Sequence, residues 1–309
     1  MKKSTLRNAI LIAVIGLAAS THTIAQTTDP GFEGWTVSAH AGAASTSSSM
    51  QWASPLVVWH VSNLYSPGGA PLIVVPAGLY KVPDTSSKSI GMAVSLQIGY
   101  TKRFNHVMAG AELGISINSY KTSQTTVFYP ETMLQARNPL TIQRDISVGI
   151  SKSLTVKGGY TKGKHLVYAM AGVVLTPVKL AANDYYKLSP QNKHAGSPTA
   201  QAISYTYTDL SHEQQVSKTL VGISAGAGYQ YAVSDEVRVG VEYRFTSYNR
   251  GSFTIDEAVG EQPTDNSGNK FGIGGSIEAH DISVALKQQS LTVRVDVAFT
   301  AVAALFKHK

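Results

Sequence analysis

Five short patterns contain residue types able to do chemistry. Gly222-Ile223-Ser224-Ala225-Gly226 has the spacing of a hydrolase nucleophile elbow, but that chemistry needs the serine on a sharp strand-to-helix turn. Here the flanking residues alternate in polarity, and the small residues read as packing against a crowded interior. His212-Glu213 has no second histidine four residues after the first, so it is not a zinc-protease helix. Gly272-Ile273-Gly274-Gly275 lacks the helix pattern that follows a phosphate-cradling loop. His280-Asp281, and Asp209 with His212, put acid and base together in long connections, where solvated turn residues have the same composition. The chain has no cysteine, which excludes disulfides, thiolate metal sites and a thiol nucleophile. We expect no catalytic residue, no cofactor and no metal. An outer-membrane enzyme using loop His and Asp is the least favoured alternative.

A second group of polar residues is more informative because its spacing is regular. Arg238, Glu242 and Arg244 alternate with Val237, Val239, Val241, Tyr243 and Phe245. Arg294 and Asp296 alternate with Leu291, Val293, Val295, Val297 and Phe299. Period-two alternation marks strands with unlike faces. Ile90 to Tyr100 repeats it, and Trp35 to Ala43, Val107 to Ile117, Leu154 to Tyr160 and Val221 to Tyr231 do so less cleanly. His165 to Thr176 is apolar on both phases, so its register is open.

These eight strands are joined alternately by short and long connections. The short ones lie near Thr101–His106, Thr161–Lys164 and Ser234–Glu236. The long ones span 44–89, 119–145, 181–217 and 247–280. Loops that long are uncommon inside compact soluble domains, whereas short turns on one side and long loops on the other are the pattern of an outer-membrane barrel. Trp35, Tyr100, Tyr160, Tyr229, Tyr231 and Phe299 gather at the short-turn end, on the phase assigned to lipid. A soluble β-sandwich with one wet face also alternates, but it gives no reason for that gathering. The expected fold is all-β: an eight-stranded antiparallel transmembrane β-barrel with four long extracellular loops and three short periplasmic turns.

Composition agrees. Charged residues are only 15% of the 309, and the mean hydropathy of −0.02 is too polar for a bundle of apolar helices. Lys2, Lys3 and Arg7 precede the apolar run Ala9–Ala19 and the polar stretch Ser20–Thr23, which together read as a secretory signal cut after Ala25. The run is too short to span a bilayer. Its loss removes three of the seven excess positive charges, which weakens any case for nucleic acid. The expected domains are 1–25, a signal peptide, and 26–309, the barrel, in the outer membrane of a Gram-negative bacterium.

A barrel of eight strands is just wide enough for side chains to fill. His40, Gln97, Glu112, Lys157 and Gln230 are assigned inward. Strands seven and eight are neighbours, so Arg238, Glu242, Arg244, Arg294 and Asp296 are expected to form one charge cluster, because buried charges persist only when paired. A structural plug is favoured over a selectivity ring in a narrow porin for small solutes. In the first long loop, Pro55–Val61 and Pro71–Pro76 are apolar, with Trp52, Trp59, Tyr65 and Tyr80 as candidate contact residues. They form either an exposed contact patch or a hairpin packed on the other loops. Lys152 and Lys179 near the outer rim are placed to meet outer-membrane lipid and lipopolysaccharide phosphates.

Arg238-Val-Gly-Val-Glu-Tyr-Arg-Phe-Thr246 and Gln289-Ser-Leu-Thr-Val-Arg-Val-Asp-Val-Ala-Phe299 resemble the last two strands of opacity-like, OmpA-like surface proteins. The resemblance leaves the loops unmatched. It implies an eight-stranded outer-membrane barrel inserted by the barrel-insertion machinery, with roles in envelope integrity, adhesion to a host-cell or matrix ligand, or surface exposure as an antigen. It carries no catalytic residues. Such barrels usually end at a terminal aromatic, whereas here Phe299 is followed by Thr300–Lys309. The expected function is therefore a non-enzymatic surface protein acting through its long loops.

Overall fold

The computed structural model describes residues 32–52, 56–63, 73–80, 82–118, 120–128, 140–186, 210–259 and 272–299. The expected signal segment, Tyr65, Asp209 and the tail after Phe299 lie outside the described residues. The described strands are β1 (Gly34–Trp52), β2 (Leu56–Asn63), β3 (Ile73–Tyr80), β4 (Thr85–Phe104), β5 (Val107–Asn118), β6 (Lys121–Phe128), β7 (Leu140–Val148) and β8 (Ser151–Lys162). They continue with β9 (His165–Tyr186), β10 (Leu210–Ala232), β11 (Val237–Tyr248), β12 (Gly251–Ile255), β13 (Ala258–Val259), β14 (Gly272–Ile277) and β15 (His280–Ala298).

Eight of these strands close into a ring in the order β1-β4-β5-β8-β9-β10-β11-β15 and back to β1. Every pairing is antiparallel. Closure leaves no sheet edge, which is what a β-structure needs in lipid. The short turns fall where expected, at Asn105–His106, Gly163–Lys164 and Val233–Glu236. Gly163 has a φ of 57°, a left-handed conformation that glycine adopts without steric cost.

The eight expected strands are present, but they do not stop at the membrane boundary. β9 runs for 22 residues and β10 for 23, so at about 3.3 Å per residue each is roughly 75 Å long. An apolar band about 25 Å tall uses only part of that. Where β8 ends, β7 takes its place beside β9, and β6 pairs with β7. Where β11 ends, β12 takes its place beside β15. Side chains close the remaining seams: Ser87 to Thr122 at 2.7 Å and Thr85 to Gln124 join β4 to β6. Gln214 Nε2 donates to Asp256 Oδ2 at 2.7 Å, where the chain leaves β12 beside β10. Much of what the sequence suggested as long loops is thus a second storey of barrel. A separate sheet, in the order β13-β14-β2-β3, brings parts of the first and last connections together. The apolar segments of the first connection therefore form a hairpin.

The two storeys have opposite polarity on the same strands. Along β15, Leu291 and Val293 face outward and are exposed while Thr292, Arg294 and Asp296 face inward. Higher on that strand Ile282, Val284 and Leu286 face inward and are fully buried, and Ser283 and Lys287 take the outer face. The outward residues of the lower storey include Ile90 (77% exposed), Leu113 (59%), Val156 and Ile223. The open register of β9 is settled with Val167, Val173 and Leu175 outward and Leu166, Tyr168 and Met170 inward. Val237 and Val297, expected to face lipid, lie opposite each other and are buried. They sit beside the turn whose Val233 and Ser234 amides bond back to Val237 O.

Candidate functional site: the filled interior

The interior is filled in three layers. At the short-turn end Phe32 is fully buried among Met108, Leu166, Tyr168, Met170 and Ala232. Thr101 Oγ1 donates to Phe32 O at 2.7 Å, and the Arg238 guanidinium lies 5.0 Å from the Phe32 ring centre.

The second layer is a charge network centred on Arg294, which has no solvent exposure. Its Nε donates to Asp296 at 2.6 Å, and Nη1 donates to Glu112 at 3.1 Å and to Glu242 at 3.2 Å. Nη2 donates to Ser38 at 3.0 Å and also to Glu112. A guanidinium has five N–H donors, and these five bonds use them all. Each carboxylate has further partners. Lys157 donates to Glu112 at 2.5 Å, Gln230 to Asp296 at 2.7 Å, and Tyr168 and Arg244 each to Glu242 at 2.9 Å. With its nitrogen turned toward Glu112, the Gln97 amide donates there at 2.9 Å and accepts from Arg244 at 3.2 Å. His40 Nδ1 lies 3.7 Å from Glu242.

Alternation positions these groups, since every second residue of a ring strand must point inward. Glycine makes room for them: a Cβ on Gly228 would lie 2.3 Å from the Tyr168 ring, so the missing side chain lets that phenol reach Glu242. All five residues of the expected cluster lie in this interior. Glu242, Arg244, Arg294 and Asp296 are directly linked, while Arg238 pairs in register with Asp296 and covers Phe32. Sequence reasoning placed Glu112 and Lys157 inward but missed that Glu112, on the opposite wall, is bonded by Arg294. It missed Tyr168 altogether, because β9 is apolar on both phases. Above the network lies a small cavity of about 40 Å3, lined in part by His40, Arg244, Asn118 and Tyr248.

The third layer is the apolar core of the upper storey, including Met50, Ile146, Val178, Leu180, Leu220, Phe253 and Val284. Trp52, packed against this core, connects it to a polar knot. Arg144 donates to Asp184 at 2.5 and 3.1 Å and to His280 Nε2 at 3.2 Å. His280 Nδ1 lies 3.0 Å from Glu278 O, so the proton sits on Nδ1 and Nε2 accepts. Burial first, and then the Arg144 charge, hold the His280 pKa below its ordinary value of 6.5. Trp52 stacks on His280 at 5.0 Å and lies under Arg144. That tryptophan was expected in a contact loop but belongs to the interior. Trp59 and Tyr80 are in β2 and β3 of the small sheet, and Tyr65 lies outside the described residues. His280 is buried, while Asp281 on the opposite face of β15 accepts from Thr254 at 2.6 Å, so the two do not form an acid–base pair. His212 belongs to β10 rather than to a loop. Ser224 is buried within a ring strand, without the elbow a nucleophile needs. Among the described residues, no three His, Asp or Glu side chains are grouped to hold a metal.

The outer surface near the short turns carries a belt of rings. Trp35 meets Tyr100 at 5.4 Å, His106 meets Tyr160 at 5.7 Å, and His165 meets Tyr231 at 5.3 Å and bonds the Tyr229 hydroxyl at 2.6 Å. Amphipathic rings flanking an outward apolar band are what a barrel needs at a membrane–water interface. The closed ring, the band and the belt define an eight-stranded transmembrane β-barrel.

The chain matches no protein-family model and no curated protein. Among solved structures it is similar to neisserial surface protein A, with 11% identity over 84% of this chain and 97% of that one and a TM-score of 0.29. It is also similar to OprG of Pseudomonas aeruginosa (10%, 88% and 100%, TM-score 0.36). The outer membrane protease OmpT of Escherichia coli is a third (10%, 90% and 99%, TM-score 0.34).

Proposed function

We propose that this chain is a non-enzymatic outer-membrane surface protein, a sealed column that holds its upper connections away from the lipid. The observation that carries this reading is that the barrel continues past its apolar band as a filled second storey. A porin needs an open path, whereas here Phe32, the Arg294 network and the apolar core succeed one another along the axis. An enzyme needs a reachable acid–base pair, whereas His280 is buried against Arg144. What the fold offers to a partner is the upper end, where β2, β3 and β14 form the small sheet. Host-cell or matrix contact there, and a role in envelope integrity, fit that architecture. Phe299 at the end of β15 is an exposed aromatic of the kind the insertion machinery reads.

The test is a pair of measurements on one preparation. Purified protein should give no stable single-channel steps in planar bilayers. Replacing Leu56–Tyr80 by a short glycine-serine link should leave fast migration of the unboiled barrel intact and lower adhesion to cells or matrix. Discrete stable openings would favour the narrow porin, and undiminished adhesion would remove the small sheet from the contact surface.

A further inference from the structure

On the outer face, just above the apolar band, one cross-strand row of side chains borders a groove. Lys121 of β6 pairs with Ser147 of β7, and Ser147 pairs with Lys179 of β9. The next outward row up brings Ser123, Asp145 and Gln215 together. These residues line an outward-opening groove of about 470 Å3, within the usual range for a small-molecule site. It lies where β7 replaces β8 beside β9, so it is a consequence of how the second storey is built.

The chemistry of the groove is specific in kind. Lys121 and Lys179 stand two strands apart, roughly 10 Å at the backbone, so both ammonium groups can converge on one anion above the Ser147 hydroxyl. Asp145 is held by Gln143 Nε2, 3.2 Å from each carboxylate oxygen. A carboxylate beside two lysines is poorly placed for a bare anion but well placed to accept hydroxyl donors. Two ammonium groups, hydroxyls, an amide and one acceptor carboxylate together match a phosphorylated sugar. The position selects the source. Below Lys179 on the same face come Pro177 and then Leu175 of the apolar band, so the groove lies at headgroup height.

We propose that this groove binds the phosphorylated sugar headgroup of a glycolipid in the outer leaflet. The inference rests on the upper storey facing the cell exterior, and it adds a defined headgroup site to the surface-protein reading. Lys88 and Lys287 provide an internal control. They flank Ser47 at similar height on the same outer face, and they line neither cavity described above.

The experiment places the folded protein in nanodiscs containing either a bisphosphorylated diglucosamine lipid or the same lipid without phosphates, and reads retained lipid by native mass spectrometry. Each lysine makes charge-assisted contacts, so K121Q/K179Q should lower retention of the phosphorylated lipid by about tenfold or more. K88Q/K287Q should leave it nearly unchanged, and the phosphate-free lipid should be retained weakly by every variant. Equal losses in the two double variants would reduce the effect to general surface charge and overturn the proposal, as would indifference to the phosphates. Soluble glucosamine phosphate binding as tightly as the lipid would overturn the membrane source. Fast migration of each unboiled variant establishes that it is folded. Labelling K179C in intact cells with a membrane-impermeant maleimide separately reports which side the groove faces, so a wrong orientation is distinguishable from a wrong ligand.

Discussion

The lower and upper storeys share the same strands and solve opposite solvent problems. In the lower storey the surroundings are apolar, so Leu113, Val156 and Ile223 face out and the interior holds Arg294, Glu112, Glu242 and Asp296. In the upper storey the surroundings are water, so Ser47, Lys179 and Lys287 face out and Leu180, Leu220 and Val284 form a core. A strand alternates by geometry alone, and the solvent decides which phase is apolar. The two interiors should also fail differently. The lower one depends on complete pairing of charge, since a buried ion left alone is costly. The upper one depends on packed volume, as any aqueous core does.

The largest expected effect follows from breaking the lower interior. Arg294→Met leaves three carboxylates without their shared cation, and about 3–5 kcal/mol of stability should be lost. Urea unfolding in lipid vesicles reads this. A smaller loss would mean that Lys157, Arg244 and water compensate for the missing guanidinium.

Next, Leu180→Ala empties part of the upper core and should cost about 2–5 kcal/mol, felt locally. Limited proteolysis should cut the upper storey faster while the unboiled protein still migrates fast. Collapse of both properties together would show that the storeys fold as one unit.

A lesser effect concerns acidity. The His280 pKa is lowered in the fold, so the unfolded state takes up a proton first as pH falls. The contribution of this group is therefore complete above the ordinary value of 6.5 and declines as pH drops below it toward the depressed folded value. Hydrogen exchange on β7 and the upper part of β15 should accelerate over that window, and His280→Gln should flatten the dependence. An unchanged slope in that variant would move the acid sensitivity to another group.

The smallest effect is at the belt. Tyr229→Phe removes the hydroxyl bonded to His165 and should cost at most about 1 kcal/mol, measured by the same urea titration. A larger loss would give this exposed pair a structural role equal to that of the interior.

The lower storey was largely legible in the sequence. Ile90–Tyr100 of β4, Val237–Phe245 of β11 and the lower half of β15 alternate without interruption, and the aromatic belt fixed which phase meets lipid. The upper storey was not legible, because reading apolar residues as outward fails once the strand enters water. On β15 the apolar phase shifts across Gln288–Ser290, and a reading that follows polarity sees the strand end there. The Arg294–Glu112 bond joins residues 182 apart in sequence, with no local signal to pair them. Arg144 and Asp184 lay inside what looked like loops, so their ion pair was out of reach for the same reason as the strands that carry it.

The central claim, that polarity inverts along continuous strands around a sealed interior, is tested most directly on β10. The chain lacks cysteine, so single spin labels can be placed without background at Ala227, Ile223, Thr219 and Gln215 on the outer face and at Leu220 inside. In lipid vesicles, labels at Ala227 and Ile223 should be accessible to oxygen, and those at Thr219 and Gln215 to a water-soluble nickel chelate. The label at Leu220 should be shielded from both. Oxygen access continuing to Gln215, or ready access of the chelate to Leu220, would contradict the account.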